Sequence, residues 1–314
     1  MNRLLMTYKT TNLLLLALFV SLFFSGFTTQ AQQDSQYTQY MYNTVSVNPA
    51  YAGSRGSLSM MGIYRNQWAG LDGAPETLNF TLHSPIGVRG VGLGLGFVSD
   101  KIGPSDESMV TADFSYTLNL AQDVKLSFGL KGGVSIWNLN PDKLNIFNPN
   151  DYNLRRENNT SPVIGTGMYL YTQKWYVGLS SPNILQTEHY DDVQVSTATE
   201  KTHIYLMGGY VFDLNPNLKL KPAFMAKAVV GAPLAIDVSA NALMYDTVTF
   251  GLGYRVDAAV SAMAGFQISE QIMMGYAYDY DTTEFGNYNN GSHEIFLRFE
   301  LGTRLRAKVN PRFF

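Results

Sequence analysis

The sequence contains no cysteine. That absence excludes disulfide frameworks, thiolate zinc sites, iron–sulfur clusters and cysteine nucleophiles. Charge is scarce as well: Asp, Glu, Lys and Arg make up 15% of the 314 residues, against roughly 25% in average soluble domains. The 22 basic and 25 acidic residues are scattered, and without clustered Lys and Arg there is no surface for nucleic-acid phosphates. Histidine is rare, and no two of His83, His189, His203 and His293 stand at a metal-ligand spacing. Asp279, Asp281 and Glu284 lack the glycine and closing glutamate of a calcium loop. The nucleophile-elbow, Walker and dinucleotide glycine motifs are missing too. Ser292 and His293 would be strand neighbours pointing to opposite faces, so they cannot share a hydrogen bond. Neither an enzyme nor a bound cofactor or metal is expected.

Long apolar runs are also lacking, with one exception near the N-terminus. Arg3 and Lys9 precede an apolar stretch from Leu13 to Phe24, followed by small residues at Thr29 and Ala31. A helix of that length spans about 18 Å, short of the roughly 30 Å hydrocarbon core, so residues 1–31 read as a signal peptide cleaved after Ala31. Beyond it no run approaches the roughly 18 residues of a membrane helix. If the exported chain spans a membrane, it does so with strands.

What the sequence has in quantity is aromatics and glycine: 20 Tyr, 18 Phe, 3 Trp and 28 Gly. Between residues 57 and 302 the pattern is alternation, the mark of strands with two unlike faces. Leu78, Phe80 and Leu82 alternate with Asn79, Thr81 and His83, while Val91, Leu93, Leu95 and Phe97 alternate with Gly92, Gly94 and Gly96. The periodicity predicts fourteen strands, near 57–66, 77–83, 91–98, 110–120, 125–136, 162–171, 174–181, 202–213, 217–228, 234–244, 247–256, 259–268, 271–281 and 292–302. An even count suits a closed antiparallel barrel, and strands of about ten residues tilted by roughly 40° cover the apolar band of an outer membrane. The connections also alternate, although those after the ninth and eleventh strands are short as well. Short links fall at 86–90, 121–124, 172–173, 214–216, 245–246 and 269–270, and long ones at 67–75, 100–107, 137–159, 182–201 and 282–291. This matches short periplasmic turns and long outer loops, and the chain ends on Phe313 and Phe314, a terminal aromatic being usual for such barrels. The predicted fold is an all-β transmembrane antiparallel barrel of about 14 strands over residues 57–314. A secreted β-sandwich would want a more heavily charged outer face than Gly, Ser, Thr and Asn provide.

The polar strand faces carry Lys125, Lys131, Lys219, Lys221, Lys227, Asp237, Arg255, Glu294 and Arg298 as candidate lumen charges. They read either as a lumen cross-linked by ion pairs or as a selective pore whose positive ladder is Lys219, Lys221 and Lys227. Residues 32–56 do not alternate and are rich in aromatics, so they form an ordered leader at the periplasmic end, tucked into the mouth or offered to a partner.

The order Gln36-Tyr37-Thr38-Gln39-Tyr40-Met41-Tyr42-Asn43, Asn48-Pro49-Ala50-Tyr51-Ala52-Gly53, Tyr64-Arg65-Asn66-Gln67-Trp68 and Gly73-Ala74-Pro75 closely resembles the PorP/SprF family of type IX secretion membrane proteins. Gly291-Ser292-His293-Glu294-Ile295 resembles that family's last strand. The resemblance implies an outer-membrane barrel of Bacteroidota serving type IX secretion and, in gliding species, the display of large adhesins. Some members work in the core machinery near periplasmic ring and peptidoglycan-linking components, and others hold the C-terminal domain of a secreted adhesin at the cell surface. Within this frame Tyr37, Tyr40, Asn48, Pro49, Tyr51 and Arg65 are the expected leader cluster closing the periplasmic end. A competing partner surface lies on the outer loops, with Trp68 and Pro75 as contacts. The alternative function is a diffusion porin or small-solute transporter.

Overall fold

The computed structural model describes residues 36–87, 90–141, 157–185 and 201–301. Fifteen strand segments follow one another: β1 (Leu58–Asn66), β2 (Glu76–Pro85), β3 (Val91–Ile102), β4 (Ser105–Asn119), β5 (Lys125–Leu139), β6 (Glu157–Tyr171), β7 (Trp175–Ser181), β8 (His203–Tyr210), β9 (Phe212–Asn215), β10 (Leu218–Val229), β11 (Ala235–Met244), β12 (Val248–Arg255), β13 (Ala259–Gln267), β14 (Ile272–Asp281) and β15 (Ser292–Leu301). Every pairing is antiparallel, and β15 pairs with β1 from Leu58↔Leu301 to Asn66↔His293, which closes the sheet. β8 and β9 both pair with β10 and are separated only at Val211, so together they form one stave. The barrel therefore has fourteen staves, the number the alternation predicts.

Alternation sets the two faces. Leu78, Phe80, Leu95, Phe114, Leu130, Leu252 and Leu297 point outward and are exposed, as side chains facing lipid are, while Asn79, Thr81, Ser115, Ser127, Asn241 and Thr249 point inward and are buried. Exposed aromatics ring both edges of the apolar band. Tyr116, Phe128 and Phe266 lie toward the short turns, and Tyr64, Tyr254 and Tyr280 toward the long connections. No helix among the described residues is long and apolar enough to cross a membrane.

Strand boundaries depart from expectation in three places. β3 continues to Ile102 and β4 begins at Ser105, so the loop expected at 100–107 is a tight turn with Gly103 at φ 55°. Likewise β5 runs to Leu139 and β6 starts at Glu157, which shortens the loop expected at 137–159. The outward residues of these extensions, Ser99, Lys101, Asp106, Ser108, Asn138, Asn158 and Thr160, are polar. Strand that rises above the lipid band has no apolar face, and alternation cannot reveal it. The expected strand at 202–213 is interrupted at Val211, where the ladder with β10 passes Pro222, which has no N–H to give, and resumes in the same register. The signal peptide, Phe313 and Phe314, and most of the loops expected at 137–159 and 182–201 lie outside the described residues.

Candidate functional site in the barrel lumen

The leader lies inside the barrel and runs the height of the lumen. Asn48 shapes it locally: its side chain accepts the Ala50 N–H at 3.0 Å, and Pro49, whose ring presets φ, opens a 3-10 turn over Pro49–Tyr51. Asn48 also donates to the Met168 carbonyl at 3.0 Å. Gly53, at φ 71°, then turns the chain against the wall, where a Cβ would sit 2.8 Å from the Gly92 Cα.

At the long-loop end the leader is held by a buried ionic cluster. Arg65 on β1 stands opposite Glu294 on β15, and its Nη1 lies 3.3 Å from Glu294 Oε2 and 2.8 Å from Asp279 Oδ2 on β14. The Thr38 and Gln39 N–H groups donate to the two Glu294 oxygens at 3.0 and 2.8 Å. Thr38 Oγ1 donates to Asp279 Oδ2 at 2.6 Å and accepts from Arg65 Nη1 at 3.0 Å. Gln36 donates to Asp237 at 2.6 Å, and Asp237 also takes the Arg255 Nε at 2.7 Å. Two barrel carboxylates and one arginine thus bind leader backbone and side chain together. Nearby, burial and the Asp237 charge raise the Tyr40 hydroxyl above the usual tyrosine range, so it stays neutral.

Midway, Asn43 donates to Asn79 at 3.0 Å and accepts from Thr81 at 2.7 Å, while Asn79 donates to the Tyr37 hydroxyl at 3.0 Å. Across the lumen Ser180 donates to the Val47 carbonyl at 2.7 Å. Toward the short turns Tyr51 meets Tyr169 and His83 edge-on, with centroids at 5.3 and 5.6 Å, and Ser115 donates to the Ala52 carbonyl at 2.7 Å. Arg55 closes this end through an ion pair with Glu300 on β15. The contacts reach staves on every side, and small residues make room for them. A Cβ on Gly129 would fall 2.1 Å from Ala50 N, and one on Gly167 2.2 Å from Asn48 Oδ1. Among the described residues a cavity of about 380 Å³ opens at the short-turn mouth and one of about 340 Å³ at the long-loop mouth, the second lined by Arg65, Trp68, Arg255, Asp279, Asp281 and Phe285.

Gly129→Ala should loosen the turn at Pro49–Tyr51, because the added methyl meets leader backbone and not a movable side-chain tip. The expected result is faster protease cleavage of the leader at an unchanged yield of folded barrel, with a cost of about 1–3 kcal/mol. Equal leader protection in the two forms would show that the turn can shift at no cost.

The expected leader cluster therefore comes together only in part and over a longer path than the sequence suggested. Asn48, Pro49 and Tyr51 do pack toward the short-turn end. Tyr37, Tyr40 and Arg65 belong to the opposite end, because β1 climbs from Leu58 to Asn66 and carries Arg65 away from the short turns. The leader is a lumen plug and not a cap on one mouth. Trp68 adopts φ 52°, donates its N–H to Ser292 Oγ at 3.2 Å and meets Phe285 edge-on at 4.9 Å, while Pro75 accepts the Gln67 N–H at 2.9 Å and closes the loop between β1 and β2.

Of the lumen charges, Lys131 pairs with Asp113 at 2.9 Å, and Arg298 donates to the Met273 sulfur at 3.0 Å. Lys221 lies 5.0 Å from the Tyr176 ring centroid. The positive ladder does not line a water path: Lys221 and Lys227 are each 2% exposed, and Lys219 sits at the short-turn end beside Asp246 at 2.6 Å. Lys125 is exposed at the short-turn mouth. Thr38, Gln39 and Asn43 carry much of the plug's bonding and were not singled out from sequence. Short polar residues in a segment without periodicity give no signal of what they will face.

The fold and its contents define a class: a closed transmembrane β-barrel of the outer membrane whose lumen is filled by its own N-terminal segment. The model of the family described as type IX secretion system membrane protein PorP/SprF matches residues 29–299, and the chain belongs to that family. It is a membrane component of type IX secretion, and membership implies interaction with other components of that system. No functionally curated protein matches the chain. Similar solved structures include the Acinetobacter baumannii outer membrane protein Omp33, with 8% identity and a TM-score of 0.48 over 78% of this chain and 98% of that one. The Ralstonia pickettii toluene transporter TbuX has 9% identity and a TM-score of 0.48 over 88% and 97%. The CymD monoaromatic hydrocarbon channel has 12% identity and a TM-score of 0.48 over 83% and 99%.

Proposed function

We propose that this protein is a plugged, non-conducting anchor of type IX secretion that holds an exported protein, through that protein's C-terminal domain, at the outer face of the barrel. In this reading residues 1–31 direct export and are removed, and the barrel stands in the outer membrane of a Bacteroidota-like cell. The observation that carries it is the plug, bound to opposite walls, hydrogen-bonded to a buried ionic cluster near one end and tied by an ion pair near the other. A diffusion porin needs its lumen for solute, whereas an anchor needs a rigid body and an accessible rim.

The test compares cells lacking the protein with cells carrying it, by measuring how exported type IX cargo divides between cell surface and medium. An anchor predicts that export continues and the cargo shifts into the medium. If export itself stops, the protein acts in the core machinery, and the anchor reading falls. An unchanged distribution together with slowed uptake of a small solute would favour the transporter.

A further inference from the structure

We infer that the cavity at the long-loop mouth is a socket for one basic side chain, arginine or lysine, of the exported partner. The inference deepens the anchor reading and rests on it.

β14 supplies the acidic wall. Alternation turns both Asp279 and Asp281 to the lumen, one above the other and about 7 Å apart along the strand. Room beside them comes from small partners in register, Ser292 on β15 opposite Asp279 and Ala259 on β13 opposite Asp281. Asp281 Oδ1 accepts the Thr283 N–H at 2.9 Å and its hydroxyl at 2.7 Å, and Thr283 Oγ1 in turn accepts the Phe285 N–H at 3.2 Å. These bonds hold Phe285 in its edge-on contact with Trp68. Trp68 is fixed from the other side, because the Ala69 N–H donates to the Gly291 carbonyl and the Asn290 N–H to the Ala69 carbonyl, each at 2.8 Å. The two rings and the two carboxylates line one cavity of about 340 Å³, at the lower end of the range for ligand pockets.

The charges around it do not balance. Arg65 lies between Asp279 and Glu294, and Arg255 is paired with Asp237, so with Asp281 two cations stand against four carboxylates. Asp281 hydrogen-bonds to Thr283 and makes no ion pair among the described residues. Below it Asp279 Oδ1 is buried with no hydrogen-bond partner. A cation entering the cavity meets an uncompensated carboxylate and an excess of negative charge.

The lining selects a side chain over a metal ion. Among the described residues no three His, Asp or Glu groups converge as a metal site requires. Trp68, Ala258, Ala259 and Phe285 make much of the wall apolar, which suits the methylene stem of lysine or arginine, while aromatic rings attract its cationic head. The partner meets this cavity first, because the leader fills the lumen below it.

Asp281→Asn tests the socket in the full chain in cells. The amide keeps an oxygen for Thr283 and removes the charge, so the rim retains its shape. The expected result is about a tenfold fall in surface-retained cargo, with normal barrel abundance and heat-modifiable migration. Asp281→Lys, which brings its own ammonium to the cavity, should lower retention at least as far. Full retention by either variant, where cells lacking the protein retain none, overturns the socket and spares the anchor reading. Full retention by Asp281→Asn together with a lower conversion temperature of the purified barrel would mean that the chain's own groups fill the cavity, which overturns the socket as well. If absence of the protein leaves retention unchanged, the anchor reading itself fails.

Discussion

A barrel lacking residues 36–53 is expected to pass ions in a planar bilayer, where the intact chain stays silent. These residues supply no strand to the wall, so β1 and its pairing with β15 and β2 should survive their removal. They do supply what fills the lumen. Tyr40, Met41, Tyr42, Val45, Ala50, Tyr51 and Ala52 are each buried to within 5% of full cover, and Tyr42 stacks on Phe296 at 4.6 Å. Without them the wall presents Asn79, Thr81, Ser115, Ser127 and Thr249 to water, a polar lining of the kind a porin uses. The readout is discrete current steps from the shortened chain, scored only on preparations that migrate as heat-modifiable barrel. Silence from a folded, shortened barrel would mean that the wall's own side chains close the lumen, and the plug would then serve stability alone.

Arg65→Ala is expected to be the most damaging single substitution in the plug contacts. Arg65 is the cation between Glu294 and Asp279, and all three side chains are at most 4% exposed. Removing one member of a buried ionic cluster leaves the remaining charge without compensation and costs about 3–5 kcal/mol. Here it also removes a bond to Thr38, one of the leader's ties at this end. The measurement is the temperature at which the folded, fast-migrating form converts to the unfolded form, compared with the parent chain. Neutralising the stranded acids with Asp279→Asn and Glu294→Gln in the Arg65→Ala background should recover part of the loss, since the remaining penalty is then packing and hydrogen bonding rather than charge. An unchanged transition for Arg65→Ala would show that the leader does not depend on the cluster. Arg65→Lys should not restore the parent value, because a point ammonium cannot reproduce the guanidinium's fixed set of donors.

Much of this protein was legible in its sequence because alternation is a local property. Each strand must show lipid one face and the lumen the other, so Leu78-Asn79-Phe80-Thr81 declares both faces at once, and stave number and closure follow from counting such segments and their connections. The same rule explains the failures at 99–108 and 157–161, where strand continues above the bilayer with polar residues on the outward face and the signal disappears. The leader's aromatic content also pointed to an ordered segment. Its path was not legible. Whether Tyr37 and Arg65 meet at the near or the far mouth depends on β1 running upward beside a leader that runs down, and on Glu294, more than 250 residues away in sequence from Thr38, standing opposite Arg65 across the seam that closes the barrel. Only tertiary closure brings those groups together.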